Sequence, residues 1–213
     1  MPTLITLSLA LFFGSIGTAS AQSTWELTTR AWESTEYYDL LVGFVRQDLQ
    51  EWIEDPIVIY AIREQNDRNR DLTDRQIERL DRRWQAEGSY SAMVGDLLGR
   101  QASVILRERR ELSQGVINQI IVTDARGLNV AISSRTLDFF QGDEPMWSET
   151  VPIGPEAVYV SDIGWDQAMR RNQSLVSLSV TDPDSNDVIG AVTFGIDVVN
   201  AMRKRDLVEN VIE

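Results

Sequence analysis

Two short segments hold the side chains best suited to chemistry. In Gln141-Gly142-Asp143-Glu144-Pro145-Met146-Trp147, a glycine that lets backbone approach a ligand stands beside two carboxylates and a flat aromatic face. Carboxylates and aromatic faces both stabilise positive charge, so Gln141, Asp143, Glu144 and Trp147 are candidate contacts for a small cation. The same residues also fit a structural role, in which Asp143-Glu144 cap a short helix starting at Pro145 and Trp147 is buried. Asp162 and Asp166, with Trp165 between them, are the other candidate ligand contacts, and as loop residues they suit turns and caps too. Nothing in the sequence sets two carboxylates at the separation that glycoside hydrolysis needs.

What is missing narrows the chemistry. The 213 residues contain no His and no Cys, which removes the Ser-His-Asp triad, thiolate nucleophiles, disulfides and zinc-finger ligation. Neither the P-loop string nor the G-x-G-x-x-G fingerprint occurs, so no nucleotide cofactor is expected. Asp182-x-Asp184-x-Asn186 opens like a calcium loop, but Asp187 stands where that loop needs glycine and Thr193 where it needs a bidentate Glu. It reads as a hairpin turn, and no metal is expected. Arg135 and the pair Arg170-Arg171 are open to two readings, as solvated arginines or as contacts for an anion, which would reverse the expected ligand charge. The net charge of −13 repels phosphate backbones and anionic lipid heads, so nucleic acid is excluded as a partner.

These residues must be positioned by elements that the hydrophobic pattern outlines. Leu4 to Phe13 is a short apolar run followed by Ala19-Ser20-Ala21, an A-x-A signature, so residues 1–21 are predicted to be a signal peptide cleaved before Gln22. A periplasmic or secreted location follows, with no membrane insertion after processing. Residues 22–213 are predicted to form a single α+β domain: a helical part over about 34–112, a sheet part over about 116–197 and a C-terminal helix over about 198–208. Tyr38, Leu41, Val42, Val45, Leu49, Trp52 and Ile53 form the stripe of a long first helix. A break near Asp55-Pro56 precedes a helix over Ile57 to Gln65, and a charged connector follows from Asn66 to Leu72. Thr73-Asp74-Arg75-Gln76 reads as a capping box, with Ile77, Leu80 and Trp84 as the buried stripe behind it. One further helix is expected from about Ser91 to Leu112. The period then shifts toward two, with five strands: Val116–Thr123, Leu128–Ile132, Ala157–Val160, Leu175–Thr181 and Val188–Ile196. Short turns between most of them favour one antiparallel sheet with the helices packed along it.

Several of these stretches together resemble a single Cache domain, a PAS-like extracytoplasmic sensor domain of bacteria. They are Thr123-Asp124-x-x-Gly127-Leu128-Asn129-Val130-Ala131-x-Ser133, Thr136-x-Asp138-x-x-Gln141-Gly142-Asp143-Glu144-x-x-Trp147, Val158 to Asp162 and Val188 to Asp197, and the likeness covers about residues 36–200. The resemblance implies a PAS-like antiparallel sheet flanked by a long N-terminal helix, with a ligand pocket between the sheet and the loops crossing it. It also implies signalling to a membrane-bound receptor or histidine kinase. Few residues follow the last strand, so that partner is expected to be a separate protein. The expected function is thus a non-catalytic sensor module for a small molecule, of positive charge if Asp143, Glu144 and Trp147 contact it. The alternative is an interaction or structural protein that uses the scaffold without a ligand. A weak homodimer through the long first helix is expected from its large apolar residues, Trp52 among them.

Overall fold

The computed structural model describes residues 35–204. The expected signal segment, residues 1–21, and the C-terminal helix beyond residue 204 lie outside them. The order is α1 (Thr35–Asp48), α2 (Gln50–Ile53), α3 (Pro56–Asn69), α4 (Asp74–Glu87), α5 (Ala92–Gly99), α6 (Gln101–Leu112), β1 (Ile117–Asp124), β2 (Asn129–Ile132), α7 (Pro145–Ser148), β3 (Val158–Val160), β4 (Gly164–Asp166), β5 (Arg171–Thr181) and β6 (Val188–Ile196). A helix over 198–204 follows β6. The fold is α+β, with every strand pairing antiparallel in the order β2-β1-β6-β5-β3, and β4 joining β5 beyond the end of β3.

Local chemistry accounts for the helix boundaries. Asp55 accepts a hydrogen bond from the Ile57 N–H at 2.8 Å, and Pro56 occupies the first turn, where no N–H is needed. Gln76 reaches back to the Thr73 N–H at 2.7 Å, as a capping box requires. Ser91 caps α5 by accepting from the Val94 N–H at 3.2 Å. Three expectations are corrected. The helix starting at Pro56 runs on to Asn69 through much of the supposed connector, because Gln65, Asn66 and Asn69 face inward and bond to the β1–β2 turn and to β6. The helix expected over Ser91–Leu112 is two helices broken at Arg100, whose extended backbone (ψ 146°) turns its guanidinium inward onto Gln65 Oε1 at 2.8 Å and the Val130 carbonyl at 3.0 Å. A sixth strand, β4, occupies what reads in sequence as a loop around Asp166.

The sheet separates two apolar cores. On one face Ile120, Val122, Val176, Leu178 and Phe194 pack with Leu41, Val45, Val58, Ile62 and Leu106 from α1, α3 and α6. On the other, Ile121, Leu128, Ile132 and Leu175 pack with Trp84 and Ile77 of α4, Leu97 of α5, and Phe139 and Met146. The alternation along β1 and β5 is the two-residue period of a strand covered on both sides. Trp52, expected as part of an uncovered stripe, is half-buried: it packs on Phe194 and the Arg109 guanidinium lies over its ring. The Asp182–Asp187 turn closes β5 onto β6 as a hairpin, and the Asp182 carboxylate takes Arg63 of α3 through both oxygens at 2.6 and 2.5 Å. Among the described residues no helix is long and apolar enough to cross a membrane.

Candidate functional site

The segment between β2 and α7 is fastened to the structure from two sides. Toward the sheet, Gln141 donates its N–H to the Gly127 carbonyl at 2.7 Å, and Asn129 donates to the Phe139 carbonyl at 3.0 Å. Gly127 has a φ of +80°, and a Cβ there would run into the backbone of Gly142, so this turn and this segment meet only because glycines face each other. Toward α4, the Asp81 carboxylate accepts from the N–H groups of Phe139 and Phe140 at 2.7 and 3.0 Å. Gln85 donates to the Asp138 carboxylate at 2.7 Å, and the buried Trp84 donates its indole N–H to the Thr136 carbonyl at 2.9 Å. The next turn, α7, is anchored where Ser177 of β5 donates to the Met146 carbonyl at 2.6 Å.

Between this segment, the sheet and the β4–β5 hairpin lies a cavity of about 420 Å³. Ile121 and Leu175 form its apolar base; Asp138, Gln141, Glu144, Tyr159, Trp165, Asp166 and Gln119 supply the polar and aromatic walls. The lining contains three carboxylates and neither Arg nor Lys. Burial pushes the Glu144 carboxyl above its usual value, and the neighbouring charges of Asp143 and Asp138 add to the effect. Asp138 is likewise raised, by burial first and then by Asp81, against the opposing bond from Gln85. Burial also raises the Tyr159 phenol, with Glu149, Asp162 and Glu144 contributing. In each case burial, which disfavours the charged form, is the largest cause.

The candidate contacts are distributed unevenly around this cavity. Gln141, Glu144 and Asp166 line it; Asp143, Trp147 and Asp162 are not among its lining residues. Glu144 occupies the N-cap position of α7 yet its carboxylate makes no capping bond, which leaves it available. Gln141 is buried and spends its amide on the Asp138 carbonyl at 2.8 Å. Asp166 is held rigidly: one oxygen accepts from the Met169 N–H at 2.7 Å, the other from Gln119 at 3.1 Å and Gln173 at 2.9 Å. Trp147 is half-buried and donates its indole N–H to the Asp124 carbonyl at 3.2 Å, while Asp143 and Asp162 are exposed.

The sequence gives Asp138 and Tyr159 only as members of the family-like pattern, Gln119 only as part of a strand, and Trp165 only as a neighbour of two aspartates; none is a candidate contact there. A signal for Gln119 was present: a long amide in the middle of a β-branched apolar run has to find polar company. Trp165 is 62 % exposed at the cavity mouth, an aromatic face that no core requires.

No protein-family model matches the sequence, and no curated protein is similar to it. Among solved structures, the chain is similar to the sensor domain of the histidine kinase DctB of V. cholerae, at 11% identity and a TM-score of 0.47, over 83% of this chain and 58% of that one. It is similar to the ligand-binding domain of the Campylobacter jejuni chemoreceptor Tlp3 in complex with 4-methylisoleucine, at 11% identity and a TM-score of 0.39, over 81% of this chain and 65% of that one. The E. coli DcuS sensor domain is matched at 16% identity and a TM-score of 0.36, over 62% of this chain and 93% of that one. The chain thus spans less than two thirds of the first two structures.

Proposed function

We propose that this domain is a non-catalytic extracytoplasmic sensor module that takes a small organic cation into the cavity beside Glu144, and that a separate membrane-bound receptor or kinase reads its occupancy. The observation that carries the ligand class is the lining itself: Asp138, Glu144 and Asp166 without a single basic side chain, with Trp165 at the mouth. Carboxylates held above their usual pKa are short of compensating charge, and a cation entering the cavity supplies it. The cavity is of a size for a metabolite, with an apolar base and a few convergent polar groups, as in small-molecule sites generally. The location outside the cytoplasm is supported by the apolar run and A-x-A signature before Gln22. The signalling partner is supported by the Cache-like residue pattern alone.

The test is thermal unfolding with tetramethylammonium, n-butylamine or succinate against sodium chloride at constant ionic strength. A ligand that binds only the folded state raises its stability by mass action, so at least one organic cation should raise Tm in a saturable way. Glu144→Gln and Trp165→Ala should each weaken that binding by about ten- to hundred-fold, while Asp184→Asn in the distant hairpin turn should not. Organic cations that stabilise no more than sodium would overturn the ligand class. Self-association through α1 is a separate proposal. Sedimentation at rising concentration checks it, and a single monomeric species throughout would remove it.

A further inference from the structure

A second cavity, of about 340 Å³, lies at the opposite charge extreme: Arg110 of α6 and Arg171 at the start of β5 both line it, together with Asn118, Gly115, Glu111 and Met169. Neither arginine forms an ion pair among the described residues. Arg110 commits one N–H, to the Ser133 carbonyl at 3.2 Å, which fixes the guanidinium while leaving further donors.

Asn118 supplies the independent observation. It is the extra residue of a β-bulge, since Ile117 and Gln119 pair with the consecutive residues Ile196 and Gly195 of β6 and Asn118 has no partner there. The residue is more than nine-tenths buried, and its carboxamide nitrogen is buried with no hydrogen-bond partner among the described residues. A buried N–H donor left unpaired is costly, and a bulge is the usual device for re-aiming a side chain toward a site. The terminal torsion of the carboxamide is two-fold, so its donor can turn to the cavity it lines.

We propose that Arg110, Arg171 and Asn118 form a second binding site, separate from the cation cavity, for a small oxyanion group, carboxylate or phosphoryl. Two guanidinium forks and one amide N–H match the acceptor geometry of such a group, and charge-assisted bonds of this kind are the strong ones. Glu111 in the same wall opposes a second negative charge on that side, so the anionic group sits between the arginines.

The experiment uses inorganic phosphate and succinate as probes on the whole chain, with chloride at matched ionic strength as the reference, by calorimetry and thermal unfolding. One probe or the other is expected to bind saturably with a Kd at or below about 1 mM. Binding by phosphate alone assigns a phosphoryl group, and binding by succinate alone a carboxylate. Arg171→Gln, at an exposed position where folding is undisturbed, should weaken the binding at least about ten-fold. Asn118→Asp should abolish it, and Glu111→Gln should tighten it. Arg170→Gln, next in the chain but outside the cavity lining, should leave it unchanged. Glu144→Gln should also leave it unchanged, which separates this site from the proposed cation site. The proposal is overturned if neither probe binds more tightly than chloride, or if Arg171→Gln binds as the wild type does.

Discussion

At the scale of single residues, the decisive contrast is between Glu144 and Trp147, three positions apart. Glu144 lines the cavity with its carboxyl pushed up by burial, and it caps nothing. A carboxyl whose folded pKa lies above its unfolded value binds more protons in the folded state, so its ionised form costs stability at neutral pH. Glu144→Gln is therefore expected to raise the unfolding midpoint at pH 7 slightly while weakening cation binding, an opposition that a purely structural residue would not produce. Urea titration paired with calorimetry reads both. Trp147 points the other way, with its indole N–H on the Asp124 carbonyl at 3.2 Å. Trp147→Phe retains most of the ring and deletes that bond, so it should cost on the order of 1 kcal/mol of stability with cation affinity unchanged. A loss of affinity with normal stability would put Trp147 back among the ligand contacts.

At the scale of elements, α4 is the strut of the cavity wall. Its buried stripe was legible in the sequence as Ile77, Leu80 and Trp84, and so was its capping box, because periodicity and capping are local properties. Its polar work was not legible: Asp81, Trp84 and Gln85 bond to residues 136–140, more than fifty positions away, and sequence spacing says nothing of such pairings. The same reason hides the break at Arg100, whose cause is a buried appointment with Gln65 and Val130, and the strand β4, which exists only because β5 extends back to Arg171 to pair with it. Polar groups beside glycine or aromatic residues singled out Gln141, Glu144 and Asp166, which the fold sets along the candidate cavity, and equally Asp143, Trp147 and Asp162, which it does not. Asp138 and Tyr159 were not singled out, since only the fold brings them there. Asp81→Asn tests the strut. One carboxylate oxygen accepts two backbone N–H groups, and the amide replaces that charge with a neutral acceptor or, if turned, a donor. Cation affinity is expected to fall about ten-fold, with a stability loss of roughly 1–3 kcal/mol. Faster amide exchange confined to residues 136–144 would locate the effect, whereas uniform exchange would deny α4 this role.

At the scale of the whole molecule, acid acts on two regions in opposite directions. Asp138 and Glu144 carry raised values, so lowering the pH from neutrality protonates them in the folded state first, which stabilises the unliganded chain. It also removes the negative charge that a cation needs. Asp182, in contrast, is held well below the usual carboxylate range by the Arg63 guanidinium and by the N–H groups of Asp184 and Ser185. A depressed carboxylate contributes stability that is fully present above its unfolded value of about 3.9 and is lost as the pH falls from there through the folded value. That contact ties α3 to the β5–β6 hairpin, so its loss loosens a helix layer from the sheet. The unliganded protein should therefore show greatest stability at mildly acid pH, declining on the acid side below about pH 4. Saturating tetramethylammonium should move the maximum toward neutrality, because the cation stabilises only the ionised cavity. Asp182→Asn should lower the midpoint at neutral pH and flatten the acid limb, leaving the shift caused by the cation intact. Midpoints measured from pH 3 to pH 8 for both proteins, with and without the cation, decide the matter: an acid limb as steep in Asp182→Asn as in the wild type would mean that another carboxylate governs it.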